Sequence, residues 1–179
     1  MAFLVKNQHR PTGGTQQAAV LEQWIKTTQP AIALPASTTG QLFRVFGGKV
    51  LVRALVGTVT TIIQSSDPVL KISSKQLDNA AAAVGTAIDI ASTVDLSSLE
   101  VGGTVFVEGD GTALVKANAG CVLGGTNDGT WIAPQGEIYL TTGATKTGAI
   151  RWDIWYQPLD EGAYVVPATL TASLLTAAI

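Results

Sequence analysis

An all-β fold, an antiparallel sandwich of jelly-roll-like kind, is predicted by three features of this 179-residue chain. Short runs of β-branched, aliphatic and aromatic residues recur with turn signals between them, at about the 8 to 12 residue spacing of sandwiches and barrels. Nineteen Gly and seven Pro punctuate the chain, as many tight turns require. Charged residues are only 13% against 46% hydrophobic, about half the roughly 25% charge of an ordinary soluble domain. A surface so lightly charged must be covered by Thr, Ser, Gly, Asn and Gln, or by another subunit.

The length suits one domain with room for an arm at either end, and the pattern divides into an N-terminal arm (1–40), a β-sandwich domain (41–166) and a C-terminal tail (167–179). The arm carries Gln16, Gln17, Gln23 and Gln29 with Pro11, Pro30 and Pro35 and no sustained alternation. Within it Thr15 could cap a short helix through Lys26, because Val20, Leu21, Trp24 and Ile25 fall at helical spacing. The same residues also suit an extended arm that pins Trp24 and Ile25 on a neighbour.

From Gln41 the period changes to that of strands. Leu42 to Phe46, the Gly47-Gly48 pair and Lys49 to Ile63 read as a hairpin; Val50, Val52, Ala54 and Val56 share a face, and Gly57 suggests a bulge or bend. Val69 to Ser73 is a further strand after the turn at Ser65 to Pro68. Gln76 to Val84 favours a short helix by propensity, with Gly85 stopping it, or else a loop. Thr86 to Ala91 alternates again, and Thr104 to Glu108 pairs with Thr112 to Lys116 across Gly109, Asp110 and Gly111. Asp128 to Thr130 repeats the Asp-Gly-Thr turn before Trp131. Glu137 to Thr141 and Gly148 to Pro158 read as an antiparallel hairpin, whose second strand puts Ile150, Trp152, Ile154 and Tyr156 on one face. Leu159 to Gly162 is a turn. The tail holds Leu170, Leu174, Leu175 and Ile179 with no charged residue, so it closes the domain or packs on another subunit.

Chemistry-bearing constellations are sparse. His9 is the only His and Cys121 the only Cys, so nucleophilic triads would depend on an arm residue with no scaffold, and zinc lacks its usual three or four ligands. Cys121, between Gly120 and Val122, reads as a small buried hydrophobe and can form no intrachain disulfide. Carboxylate pairs remain: Glu108 with Asp110, and Glu137 with Asp153. Asp153, however, has Arg151 on its own face, which suits an ion pair on a solvent face. Asp110 and Asp128 lack the acidic ladder of a calcium loop, and no Gly-x-Gly-x-x-Gly or Gly-Lys-Ser/Thr loop occurs. The expectation is no catalytic residue, no cofactor, no metal and no enzyme activity. Trp131, Tyr139, Trp152, Trp155 and Tyr156 could form a sugar-stacking platform, but at strand spacing they read first as core. Trp155 differs by lying on the polar face of its strand. It joins Trp24, Ile25, Leu174 and Leu175 as the expected partner contacts.

A net charge of −2 without a Lys/Arg run lacks the footprint of a nucleic-acid binder. No segment reaches the roughly 20 apolar residues of a membrane-spanning helix, and Ala2 to Val5 is too short for a signal-peptide core. No nucleic-acid partner, no membrane and synthesis in a cytoplasm are expected.

Arg151, Trp152, Asp153, Ile154, Trp155 and Tyr156 within Gly148 to Val165, together with Leu51 to Gly57, resemble small virion structural proteins of tailed bacteriophages, head decoration (cement) proteins above all. The resemblance covers about the last two thirds of the chain and carries over no functional residue. It implies a homotrimer on the outside of the assembled capsid, bound to the major capsid protein, made in the host cytoplasm and located in the virion. Two other readings stay open: a tail or host-recognition component in which Trp131 or Trp155 and the Asp-Gly loops contact a glycan, and a polysaccharide-acting enzyme.

Overall fold

The computed structural model describes residues 24–35, 38–64, 69–97, 99–109, 115–117, 130–143 and 147–169. They form eleven strands: β1 (Ile25–Ala33), β2 (Thr39–Phe46), β3 (Val50–Thr61), β4 (Val69–Gln76), β5 (Ile88–Asp95), β6 (Thr104–Val107), β7 (Val115–Ala117), β8 (Trp131–Ala133), β9 (Gly136–Thr142), β10 (Ala149–Pro158) and β11 (Tyr164–Pro167). The first sheet runs β1-β10-β3-β6-β7, with β8 also on β3, and the second runs β11-β2-β9-β4-β5. All pairings are antiparallel. The expected all-β sandwich is what the chain adopts.

Alternation of side chains makes the two layers. In β9, Ile138, Leu140 and Thr142 are buried while Glu137, Tyr139 and Thr141 are half-exposed. In β10 the expected face of Ile150, Trp152, Ile154 and Tyr156 is buried. These residues meet Leu42, Phe43, Ile72, Leu140 and others in one core between the sheets. Trp152, fully buried, stands opposite Gly57 in the β3–β10 register. A Cβ on Gly57 would come within 2.9 Å of the Trp152 ring and of Ile150 Cγ2, so the indole occupies the space that a side chain at 57 would need.

Several expected connections are different. β9 and β10 belong to different sheets, as do β2 and β3, so both expected hairpins are arches that carry the chain from one layer to the other. A tight turn between two alternating runs is compatible with either, and the choice belongs to the partners each strand finds. At Gly47 and Gly48, with φ of 73° and 135°, the arch packs against the β10–β11 turn, where Asp160 accepts a 2.7 Å hydrogen bond from the Lys49 N–H. The hairpin of β6 with β7 forms as expected.

The expected face of Val50, Val52, Ala54 and Val56 is broken by a bulge. Trp155 pairs with Ala54 but Tyr156 with Val52, leaving Arg53 as the extra residue. Val50 and Val52 therefore point inward, as do Leu55 and Val59 beyond the bulge, and Ala54 and Val56 point out. The irregularities on β3 sit at Arg53 and near Thr60, not at Gly57. Gln76 ends β4, and Leu77 then bridges Ala83 in a loop closed by Asp78, whose carboxylate accepts from the Ala80 and Ala82 N–H groups; no helix forms there, because these side-chain acceptors hold a turn instead.

The largest revision concerns the arm. Residues 25–33 are an edge strand of the first sheet, and β2 begins at Thr39, so the sandwich takes in much of what reads as arm from about residue 25 on. Ile25 and Lys26 are strand rather than helix, because β10 offers a full row of backbone partners. Pro30 escapes detection as a strand residue since it sits at a bulge between Gln29 and Ile32, where a missing N–H costs no ladder bond. Beside it, Gln29 is fully buried and accepts from the Thr169 N–H at 3.4 Å, and Thr27 Oγ1 donates to the Val165 carbonyl at 3.2 Å. These two bonds tie the β1 edge of one sheet to the β11 edge of the other.

Replacing Gly57 by Val is expected to destabilise the protein by about 1 to 3 kcal/mol through overpacking against Trp152 and Ile150, read as a lower urea midpoint with an unchanged slope; an unchanged midpoint would contradict the packing described.

Candidate functional site

The outward positions of the two sheets differ sharply in chemistry. On the second sheet, Gln41, Arg44, Glu137, Tyr139, Thr141, Lys71 and Lys75 face out, by their pairing opposite to the buried residues of β2, β9 and β4. On the first, β10 presents Trp155, β3 presents Leu51, Ala54 and Val56, β6 presents Phe106 opposite Val56, and β8 presents Ile132 opposite Leu51. All are half-buried except Ile132, which is 58% exposed. An outward sheet face is ordinarily polar; this one is mixed, with an apolar strip across β10, β3, β6 and β8 beside Lys26, Thr28, Arg151, Asp153, Thr58 and Thr104 on the same face.

One corner of that face gathers two cation–ring contacts and a buried carboxylate. Lys26 on β1 is the cross-strand neighbour of Trp155, with its ammonium 5.0 Å from the indole centroid. Arg53, pushed out at the β3 bulge, lies 5.4 Å over the ring of Trp24. Asp153, only 4% exposed, receives a 2.5 Å hydrogen bond from Thr28 Oγ1 and ion pairs from Lys26 at 3.1 Å and Arg151 at 3.5 Å. The ion pair expected between Asp153 and Arg151 is present, but on a carboxylate covered by β1 rather than on open solvent. Burial by itself would raise the Asp153 pKa; the Thr28 and Lys26 hydrogen bonds and the Lys26 and Arg151 charges outweigh it, and the carboxyl titrates below its ordinary 3.8. Cations this close to two indoles are attracted to the ring faces by about 0.5 to 1 kcal/mol each at such exposed sites.

Of the expected contact residues, Trp24 and Trp155 come together at this corner. Ile25 pairs with Tyr156 and so points toward the interior edge, yet it remains 41% exposed. Leu174 and Leu175 lie outside the described residues, as do His9, Cys121, Asp110 and Asp128. Glu137 and Asp153 sit on the outer faces of opposite sheets, so a two-layer core of roughly 10 Å separates them and they do not share a site. Among the described residues no group of three or more His, Cys, Asp or Glu side chains is placed to hold a metal ion, and no helix is long and apolar enough to cross a membrane.

The five aromatics read as a possible platform are dispersed. Trp152 and Tyr156 are core, Trp155 faces out of the first sheet and Tyr139 out of the second. Trp131 points inward at the end of the first sheet and lines a cleft of about 380 Å³ with Val84, Ile88, Ile132, Pro134 and Asp89. Asp89 also titrates below 3.8, held by hydrogen bonds from Lys71 and Ser73. The apolar face escaped sequence reading because the Arg53 bulge inverts the side-chain parity of β3; the pairing of Val56 with Phe106 is a tertiary fact.

No family model, curated protein or solved structure matches the chain.

A carboxyl whose folded pKa is lowered contributes stability that is present above its unfolded value of 3.8 and lost as the pH falls through the lower folded value. Asp153→Asn is therefore expected to cost about 1 kcal/mol at neutral pH, after allowance for the exposed cations. Its deficit relative to the parent should shrink below pH 3.8, as followed by thermal unfolding across the acid range.

Proposed function

We propose that this chain is a structural protein of a tailed-phage virion, a decoration protein that binds the outside of the assembled capsid and stabilises it. The observation that carries the reading is the outer face of the first sheet, where Trp24, Trp155, Leu51, Val56, Phe106 and Ile132 lie on one side of the molecule. A strip of half-buried apolar and aromatic side chains, interspersed with charged groups and with Ile132 well exposed, supports a surface that works against a partner. Trp155, half-buried with Lys26 over its ring, has the character of an interface anchor, since a partly packed aromatic loses less side-chain freedom on binding.

The resemblance of the Gly148 to Val165 segment to head decoration proteins supports the capsid as that partner, and a trimer on the shell follows from the same likeness. Mechanistically the protein would act by mass action: binding only the assembled, expanded shell lowers the free energy of that state and opposes disassembly. The major capsid protein is the partner, and the virion is the location.

Co-sedimentation of the purified protein with expanded heads of the phage that encodes it tests the reading, with light scattering to give the bound and free mass. Attachment is expected for the parent, and Trp155→Ser should weaken it roughly 30-fold, the loss of about 2 kcal/mol typical of an aromatic anchor. Failure of the parent to attach would overturn the capsid reading; equal attachment of the variant would move the interface off this face.

A further inference from the structure

We infer that the cleft beside Trp131 receives the C-terminal tail, residues 170–179, of a second copy of this chain, so that copies join head to tail. The cleft lies where the β5 edge of the second sheet meets β8 of the first. Residues 78–89 beside it are all exposed, and from Asn79 to Ile88 none is charged. Three of the seven large hydrophobic side chains that are exposed among the described residues, Val84 (46%), Ile88 (72%) and Ile132, line this one cleft together with Trp131 and Pro134. Such a concentration calls for an apolar occupant. Asp89, the one charged group lining the cleft among the described residues, is already paired with Lys71 at 3.0 Å and accepts a 2.8 Å hydrogen bond from Ser73, so it asks for no cation.

The chain itself holds a matching occupant. Leu170, Leu174, Leu175 and Ile179 stand in a ten-residue segment without a charged side chain, whereas residues 1–23 carry Lys6, Arg10 and Glu22. The described residues end at Thr169, whose N–H bonds to Gln29 on β1. That end sits by β11, at one edge of the second sheet, and the cleft sits by β5 at the other. The pairing gives the level as well: Pro167 stands opposite Phe43, Phe43 opposite Ile138, Ile138 opposite Ser74 and Ser74 opposite Ile88. Four strand spacings, about 19 Å, therefore separate Pro167 from Ile88. Ten extended residues span at most about 35 Å. A tail reaching its own cleft would use more than half its length crossing the polar outer face over Arg44, Glu137 and Lys75. A neighbour's tail arrives without that crossing and brings all its aliphatic side chains. Because tail and cleft lie at opposite edges, the contact is heterologous, and it closes into a ring when the rotation allows. The inference does not depend on the capsid reading.

The test pairs two full-length variants. Ile88→Asp keeps the tail but puts an unpaired charge in the cleft; Leu174→Asp with Leu175→Asp keeps the cleft but charges the tail. By light scattering the parent is expected to be oligomeric, and each variant alone to associate roughly tenfold or more weakly. An equal mixture of the two should recover a dimer, with one intact tail in one intact cleft. A synthetic peptide of residues 170–179 in excess should dissociate the parent, a readout that needs neither variant to fold, and the same peptide with both leucines changed to aspartate should not. The proposal is overturned by a monomeric parent, as when each tail fills its own cleft. Unchanged assembly of either variant, no pairing between the folded variants, or a parent indifferent to the peptide would also overturn it.

Discussion

The contact of the Trp152 indole with the bare backbone of Gly57 is the constraint on which the rest of the sandwich hangs. Trp152 is the largest fully buried side chain among the described residues, and it fits only beside a residue without a Cβ. That requirement fixes the register of β10 on β3, and the register in turn sets which residues of both strands look inward. Because β10 is bound to β3 on one side and β1 on the other, the same contact places the N-terminal strand. Aromatic side chains bury the most area, so a misregister here would forfeit more than one elsewhere.

From that register comes the asymmetry of the two outer faces. Beyond the Arg53 bulge, Leu55 and Val59 stay in the core while Ala54 and Val56 are turned out beside Trp155 and Phe106. The first sheet thereby presents an apolar strip beside a charged corner, and the second a largely polar face with the Phe46–Tyr164 stack at its edge.

Charge is used sparingly, and the one carboxylate buried among the described residues, Asp153, lies at an edge. With so few ionisable groups, the chain concentrates Lys26, Arg151 and Asp153 where the edge strand β1 meets β10. An edge strand offers unpaired backbone groups to any passing chain. The buried carboxylate with its Thr28 hydrogen bond ties β1 to β10, and the Thr27 and Gln29 bonds to the β11 side tie the same edge to the second sheet.

Most of the strands from Gln41 on, the inward face of β10 and the low surface charge were legible in the sequence, because alternation and composition are local properties written residue by residue. The alternating run at Glu137 to Thr141 and the period-two aromatics of Gly148 to Pro158 could mean little else. Which strand neighbours which was not legible: the turns at Gly47-Gly48 and after Thr142 serve a hairpin or an arch equally well, and only the fit of Trp152 on Gly57 and the closure of β1 over β11 chose the arch. β1 hid behind Pro30 and its polar neighbours, since an edge strand needs partners more than pattern. The Arg53 bulge hid the apolar face for the same reason. A one-residue insertion in the ladder inverts every side chain beyond it, and that parity is decided by pairing across the sheet, which no single strand contains.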